Sequence, residues 1–269
     1  MCMLRRLFAL PAAAALVTAS ATIAQAQACH GDVLDPSEGT RFSTTVAVVA
    51  GGFDRSMYGK GDFEGVTASL RLRAGGARWG LVVPAYRIHR GGSTAAGLGD
   101  VGLRAEIPAI NLFDGALEFG VGVGLTLPTG STDDELGMGH AMAMPWVFGA
   151  GRFGIVALEA ELGTAHSLSS SGHTMSMPSM TMNVARPVVD PMNSNEVWAS
   201  AAVAVPFGVL SLVPTLRGAQ PIGDGEKRMA AGLGLRLPVG PVALAAGGEL
   251  PVVGDPFTWR GFLRGTLSF

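Results

Sequence analysis

Apolar and polar residues alternate with a period of two along most of the chain after residue 40. In residues 101–107, the apolar side chains at odd positions alternate with Gly102, Arg104 and Glu106. This period places successive side chains on opposite faces of a β-strand. One face of each such segment is apolar over about 9–11 residues, the length of a strand that crosses a membrane. The other face carries Arg, Glu, Asp and many glycines, which is typical of a transmembrane β-barrel with a polar lumen.

The alternation predicts twelve strands, and an even number is usual in single-chain bacterial barrels. Short connections between the segments alternate with mostly longer ones, near 53–62, 89–98, 128–137, 166–194, 219–226 and 251–257. The predicted short turns lie near residues 74–77, 109–114, 150–152, 206–208 and 238–240. We therefore predict an all-β fold, an antiparallel up-and-down transmembrane barrel of about 12 strands over residues 41–269. The predicted strands are 41–52, 63–73, 78–88, 99–108, 115–127, 138–149, 153–165, 195–205, 209–218, 227–237, 241–250 and 258–269.

Residues 1–28 have the features of a cleaved bacterial signal peptide. Arg5 and Arg6 precede a short apolar run, and Ala26-Gln27-Ala28 is a small-x-small cleavage site. We expect residues 29–40 to be a periplasmic segment and the barrel to lie in the outer membrane of a Gram-negative bacterium. Cys29 follows the cleavage site, which leaves lipid attachment open, although the residue three positions earlier is Ala26 rather than Leu.

The last strand ends on the aromatic residue Phe269. A terminal aromatic on an alternating strand resembles the signal that the barrel assembly machinery of bacteria reads. The expected surroundings of the barrel are outer-membrane lipid and lipopolysaccharide. The formal net charge of −2 gives no basic surface for nucleic acid.

Two segments resemble a family of outer-membrane proteins tied to phenol-degradation (MetA) pathways. Leu98-Gly99-Asp100-Val101-Gly102-Leu103-Arg104 is similar to a Gly-Asp-Val/Leu strand of that family. Leu125-Thr126-Leu127-Pro128-Thr129-Gly130, followed by the acidic residues 133–135, resembles its Leu-Pro-Thr-Gly strand end and loop. The resemblance covers about residues 98–135. It implies a twelve-stranded barrel that transports small, often aromatic or hydrophobic compounds.

The polar faces of the predicted strands carry charges of both signs, which we expect to line the lumen. They either form cross-barrel ion pairs that narrow the interior or make a selective pore. The residues are Arg71, Arg73, Asp100, Arg104, Glu106, Glu118, Glu159, Glu161, Glu196, Arg236, Arg260 and Arg264.

Methionine and histidine are concentrated in the longest predicted loop. Thioether and imidazole groups together suit Cu(I) and Ag(I), and a Met-x-Met spacing in an extended chain puts two sulfurs about 7 Å apart on one side. A turn near Gly151 would place His140 opposite residues 163–166, and so below this loop. The candidate metal ligands are His166, His173, Met175, Met177, Met180 and Met182, with Met138 and His140 as partners.

Other interpretations of the methionines stay open. The loop could instead be a lid that contacts hydrophobic ligands. Met142 and Met144 share a face with Trp146 and Phe148, a combination that fits a lipid-facing surface. No histidine lies beside a Gly-x-Ser-x-Gly sequence, so we expect no enzymatic activity. The sequence therefore favours a passive transporter or channel for small hydrophobic or aromatic molecules, with a Cu(I)-binding or Ag(I)-binding protein and a plugged structural barrel as alternatives.

Overall fold

The computed structural model describes residues 41–54, 56, 59–168, 189, 192–254 and 257–269. The expected signal peptide and the segment 29–40 lie outside these residues. The described chain is all β-structure, and no helix in it is long and apolar enough to cross a membrane. The strands are β1 (Phe42–Phe53), β2 (Gly61–Ala74), β3 (Ala77–Arg90), β4 (Ser93–Leu98), β5 (Val101–Leu112), β6 (Leu117–Leu127), β7 (Met142–Phe153), β8 (Val156–Ser167), β9 (Asn195–Phe207), β10 (Leu210–Pro221), β11 (Arg228–Val239), β12 (Val242–Val253) and β13 (Phe257–Ser268).

The sheet closes on itself into an antiparallel barrel. Strands that follow one another along the chain pair, except β4 and β5, and β1 pairs with β13, for example Val46 with Gly265. Both β4 and β5 pair with β3 and occupy one position in the wall, so the barrel has twelve wall positions. The predicted twelve-stranded antiparallel barrel is therefore confirmed.

The two faces of the wall have opposite character. Large apolar side chains cover the outside: Val121 is 50% exposed, Leu233 53% and Leu263 61%. Charged side chains such as Glu106 and Arg236 point inside and are only 1% and 2% exposed. An ordinary soluble domain buries its apolar groups and exposes its charges, so this barrel has the reverse polarity.

The wall position shared by β4 and β5 contains a bulge. Ala95 and Gly97 pair with the buried, inward-facing Ile88 and Tyr86 of β3, so odd-numbered residues of β4 face inward. In β5 the even-numbered residues face inward. One extra residue at Gly99, whose N–H donates to the carbonyl of Pro84 at 3.0 Å, changes the alternation. The bulge therefore turns Asp100 toward the interior, in the way that bulges re-aim side chains. The predicted loop at 89–98 is wrong, because β4 extends the wall through it.

Several short turns lie two to four residues later than predicted. The turn between β7 and β8 is at Gly154 and Ile155, and Phe153 pairs with Val156. Gly154 has a φ of 63°, which is in the left-handed region that favours glycine. The predicted turn at residues 150–152 is therefore wrong, and the register of the two strands changes with it.

Inward-facing aromatic rings lie over glycines of the neighbouring strand. In each of these pairs, the two residues are register partners, and a Cβ built on the glycine would meet the ring at less than 3.0 Å. Because the glycine has no side chain, the ring lies along the wall instead of projecting across the barrel. The pairs are Phe63–Gly51, Phe53–Gly61, Tyr86–Gly65, Phe148–Gly120, Trp146–Gly122, Trp198–Gly163 and Phe262–Gly247.

Candidate functional site in the barrel interior

A network of buried ion pairs crosses the inner faces of β3, β5, β6 and β8. Arg78 contacts Glu118 and lies 3.7 Å from Glu106. Arg104 contacts Glu106 and lies 3.6 Å from Glu161. Buried charges need such partners, because taking an unpaired ion out of water costs several kcal/mol.

The same two arginines contact aromatic rings of β7. The Arg104 guanidinium lies 4.8 Å from the Trp146 ring centroid, and that of Arg78 lies 5.6 Å from the Phe148 centroid. These distances are within the range of cation–π attraction. Aromatic and cationic groups thus lie side by side on one part of the inner wall.

A second network is centred on Glu249 of β12. Its carboxylate accepts hydrogen bonds from Arg217 of β10 and from Arg260 of β13, with Nε distances of 3.3 and 3.1 Å. Both guanidinium groups also lie against the Phe257 ring, at 5.7 and 4.8 Å. The arrangement again combines aromatic and ionic groups inside the barrel.

A third group of polar contacts surrounds the buried carboxylate of Glu196, at the end of the barrel with the long loops, which we call the long-loop end. This carboxylate accepts hydrogen bonds from the Arg228 side chain at 2.5 Å and from the backbone N–H of Asn193 at 2.9 Å. The Asn193 side chain also accepts the N–H of Glu226 at 3.1 Å. This carboxylate therefore joins the start of β9 to the β10–β11 connection.

The twelve charged residues that the sequence assigned to the lumen differ in their exposure. Arg71 and Asp100 are half-buried, and Glu118 is a half-buried partner of Arg78. Arg73 is exposed at the end of β2, beside the turn. The remaining residues are buried on the inner face, namely Arg104, Glu106, Glu159, Glu161, Glu196, Arg236, Arg260 and Arg264.

Sequence reasoning missed six charged residues that are buried or largely buried inside. Glu249 lies on the same face of its strand as Ala245 and Gly247, which are four and two residues before it. The alternation of the sequence could therefore have placed Glu249 inside the barrel. Arg90 and Glu135 lie in ranges predicted as loops, where alternation gives no signal. The six residues are Arg78, Arg90, Glu135, Arg217, Arg228 and Glu249.

The apolar face of β7 lies inside the barrel. Met142 and Met144 are fully buried and pack with Trp146, Phe148 and the β9 residue Trp198. The interpretation of this face as lipid-facing is therefore wrong. Its outward partners, such as Val147, are the exposed residues. Both faces of β7 are apolar, so hydrophobicity alone could not tell inside from outside.

The candidate metal ligands are only partly described. His173, Met175, Met177, Met180 and Met182 lie outside the described residues. The wall pairs Ala143 with His166, so the expectation that His140 would lie opposite residues 163–166 is wrong, because the turn is at Gly154 rather than near Gly151.

His166 is exposed on the outer face of β8. Its Nδ1 lies 3.1 Å from Asn195 Oδ1, and its Nε2 lies 3.0 Å from Thr164 Oγ1. Met138 is half-buried and packs against the apolar cluster that contains Met142 and Met144, and the buried Nε2 of His140 has no hydrogen-bond partner within the described ranges. His166 is therefore not brought together with Met138 and His140. In the described chain, no cluster of three or more His, Cys, Asp and Glu could hold a metal ion.

Asp100 binds the connection between β6 and β7. One carboxylate oxygen accepts the N–H of Gly130 at 3.0 Å, and the other accepts the N–H of Met138 at 2.7 Å. Burial raises the pKa of Asp100 above its ordinary value of 3.8, against the opposing effects of these hydrogen bonds and of His140. Both ends of the connection are thus held by one carboxylate inside the mouth of the barrel.

Solved structures of outer-membrane barrels are similar to this chain. The KdgM porin has a TM-score of 0.51 at 9% identity, with 84% of this chain and 99% of that chain covered. The NanC porin has a TM-score of 0.51 at 9% identity, with coverages of 83% and 98%. The translocator domain of the autotransporter NalP from Neisseria meningitidis has a TM-score of 0.50 at 12% identity, with coverages of 87% and 90%.

Comparisons of the sequence with protein-family models and with curated proteins find no match. At such low identities, the likeness to the porins and to the translocator shows a shared fold. The chain therefore has the fold of outer-membrane porins and autotransporter barrels.

Proposed function

We propose that this protein is a passive channel for small molecules in the outer membrane of a Gram-negative bacterium. The observation that carries the proposal is the reversed polarity of the closed barrel. An outer surface with exposed Val121, Leu233 and Leu263 matches the apolar band that lipid covers in outer-membrane barrels. The charged side chains lie on the inner face of the same wall, where a transported molecule would pass. In the proposed channel, the end of the barrel with the short turns faces the periplasm and the end with the long loops faces the cell exterior.

The side chains of the inner wall support a small hydrophobic or aromatic substrate. Trp146 and Trp198 lie with their ring centroids 6.2 Å apart, and Arg104 covers part of Trp146. These three side chains are buried in this structure, so a substrate reaches them only when the side chains that cover them move. An aromatic ring could then stack on the indoles and a polar substituent could bind the guanidinium group. The same substrate class is implied by the resemblance of residues 98–135 to the phenol-degradation family.

The rings lie against the wall, which also favours transport over a fully packed interior. Trp146 and Phe148 lie over Gly122 and Gly120 and do not project across the barrel. However, these rings and the ion pairs around Glu106 are almost completely buried. In the proposed channel a molecule therefore passes these side chains only when they move apart, which limits transport to small substrates.

Flux into liposomes tests the proposal. Purified barrel would be reconstituted, and entry of benzenesulfonate, a small aromatic anion that lipid alone admits only slowly, would be compared with entry of a neutral trisaccharide. We expect the barrel to raise the rate for the aromatic at least several-fold over protein-free vesicles and to exclude the trisaccharide. Rates equal to those of protein-free vesicles for both solutes would favour the plugged structural barrel instead.

Binding of Cu(I) or Ag(I) is a second candidate function. The observation in its favour is the buried His140 Nε2, which has no hydrogen-bond partner among the residues that the structure describes and lies two residues from the inward-packed Met138. Thioether and neutral imidazole are suitable ligands for these soft ions. The loop residues His173, Met175, Met177, Met180 and Met182 would complete the ligand set. His166 takes no part in this version, since both of its ring nitrogens lie beside other polar groups on the outer face.

A further inference from the structure

The connection between β6 and β7 folds into the mouth of the barrel; we call residues 128–141 the mouth segment. Its residues 131–133 are exposed, whereas Glu135 and Leu136 are 1% and 4% exposed. Leu136 belongs to an apolar cluster with Tyr86 and Ile88 of β3. The segment therefore reaches from β6 and β7 to the wall beyond β5 and covers this side of the mouth.

The mouth segment is attached at its two ends by the bulge in the β4–β5 wall. Asp100 accepts the N–H groups of Gly130 and Met138, as described above. Thr129 Oγ1 donates to the Gly99 carbonyl at 2.7 Å and accepts the Val101 N–H at 3.0 Å. The Gly-Asp and Leu-Pro-Thr-Gly sequences, which lie about 30 residues apart, are thus partners in one attachment.

The two ends of the segment pass each other closely at this attachment. A Cβ built on Gly130 would lie 2.7 Å from the Gly137 Cα, and one built on Gly137 would meet the Asp100 carboxylate. Larger residues would push the ends apart, because real Cβ atoms do not come this close to backbone. Glycine at both positions therefore lets the two ends of the segment lie against each other next to the Asp100 carboxylate.

A second attachment holds the tip of the segment. Arg90, at the end of β3, lies 3.0 Å from Glu135 and donates a hydrogen bond to the Asp134 carbonyl at 2.7 Å. Its guanidinium also lies 3.4 Å from the Asp133 carbonyl. One buried arginine therefore binds three consecutive residues of the segment.

We propose that the mouth segment is the gate of the channel, held closed by Asp100 and Arg90. This inference rests on the proposed channel function. Both attachments consist of hydrogen bonds and an ion pair, which water can replace when the segment moves outward. A buried ion pair often stabilises a fold no more than apolar residues in its place. A mouth that never opens could therefore be closed by apolar contacts alone, without the Arg90–Glu135 pair. Release of the two attachments uncovers Tyr86 and Thr126, which line a small cavity beneath Leu136.

The closed position can be locked through Gly97 and Leu136. A Cβ on Gly97 would lie 3.1 Å from Leu136 Cδ1, and no other described atom comes within 4 Å. The chain would carry Gly97→Cys and Leu136→Cys, with Cys2→Ser and Cys29→Ser, and be treated with a short bifunctional methanethiosulfonate that a reductant removes. Each single-cysteine chain is the matched control, and heat-modifiable gel mobility would verify folding of every variant.

We expect cross-linking to reduce benzenesulfonate flux at least tenfold, reductant to restore it, and the controls to be unaffected. The release of the gate is measured separately, by the rate at which a membrane-impermeant maleimide labels Leu136→Cys. Asp100→Ala or Arg90→Ala should raise that rate at least tenfold, whereas Glu64→Ala, at an exposed ion pair away from the segment, should not. Unchanged labelling in both release variants, or normal flux through the cross-linked barrel, would overturn the gate. Absence of flux in every form, including the uncrosslinked wild type, would overturn the channel function itself and the gate with it.

Discussion

Trp146 lies flat over Gly122, its register partner on the neighbouring strand, so closely that a Cβ on the glycine would occupy the position of the indole ring. The same ring carries the Arg104 guanidinium on its face, 4.8 Å from the centroid. A residue without a side chain on β6 thereby positions both an aromatic ring of β7 and a charged group of β5. This relationship explains part of the unusual glycine content, 39 residues in 269.

The first prediction is that Gly122→Ala destabilises the barrel by about 1–3 kcal/mol, because the new methyl group forces Trp146 off its position. The measurement is the temperature at which the folded band disappears on a heat-modifiability gel, together with the tryptophan fluorescence maximum. Gly234→Ala is the matched control. It is also on the inner face, but its Cβ would meet its nearest neighbour at 3.7 Å, an ordinary contact distance. Equal transitions for the two variants would show that the ring does not depend on the glycine.

The second prediction concerns Glu106, the carboxylate that Arg78 and Arg104 share. Glu106→Ala should lower the free energy of unfolding by about 3–5 kcal/mol, because it leaves two buried guanidinium groups with fewer counter-charges. Glu64→Ala is the control, since the Glu64–Arg87 pair has side chains 57% and 56% exposed. An exposed pair of this kind contributes about 0–1 kcal/mol. Denaturant titration in detergent micelles measures both, and a loss of less than 1 kcal/mol for Glu106→Ala would contradict the role of the network.

The third prediction concerns pH and the closure of the mouth segment. The raised pKa of Asp100 means that the closed segment binds a proton more tightly at this carboxylate than the released segment does. The resulting stabilisation of the closed form is complete below the ordinary value of 3.8 and is lost as the pH rises through the raised pKa. Acidification from pH 7.5 to about pH 4, close to the ordinary value of 3.8, should therefore slow maleimide labelling of Leu136→Cys more in the chain with Asp100 than in Asp100→Asn.

Comparing these two chains at each pH removes the titration of the maleimide reaction itself. His140, the titratable neighbour of Asp100, is present in both chains and so contributes to each. A ratio of labelling rates that stays constant from pH 7.5 down to about pH 4 would be inconsistent with this assignment to Asp100.

The strands and their outer faces could be predicted from the sequence, whereas several turns could not. In β6 and in residues 101–107 of β5 the period of two is regular, so alternation alone predicts that Leu103 and Val121 lie on the outside. The β7–β8 turn has no such guide, because Gly149, Gly151 and Gly154 all offer a turn residue. The position of the turn at Gly154 depends on pairing along the whole of the two strands. A turn at residues 150–152 instead shifts the predicted position of His140 relative to β8.

The candidate site was harder to predict for two physical reasons. Strand β7 is apolar on both faces, so only its pairing with the glycines of β6 reveals that Trp146 faces inward. Alternation in the predicted strand 99–108 was enough to place Asp100 on the inner side, but it gives no sign of the bulge at Gly99 or of the partners of Asp100, Gly130 and Met138, which lie 30 and 38 positions away. Arg90 and Glu135 meet across 45 positions of the chain, and sequence alone gives no indication of such a pairing.

The fourth prediction tests the metal hypothesis. Changing Met175, Met177, Met180 and Met182 to Leu should weaken Cu(I) binding at least tenfold in competition with a colorimetric chelator, since leucine keeps the apolar volume but lacks the thioether ligand. Met229→Leu, on a wall strand away from this loop, is the control. The same Cu(I) affinity in the quadruple variant and the wild type would assign the loop to contacts with hydrophobic ligands or lipopolysaccharide.

The central claim is that a twelve-stranded barrel with an ionic interior forms a narrow channel, and current across a planar lipid bilayer tests it most directly. The wild-type protein should produce discrete single-channel openings, and Asp100→Ala and Arg90→Ala should stay open for a larger fraction of the time at the same unit conductance. A folded wild-type barrel that inserts into the bilayer but carries no current, either alone or with both attachments removed, would contradict the account.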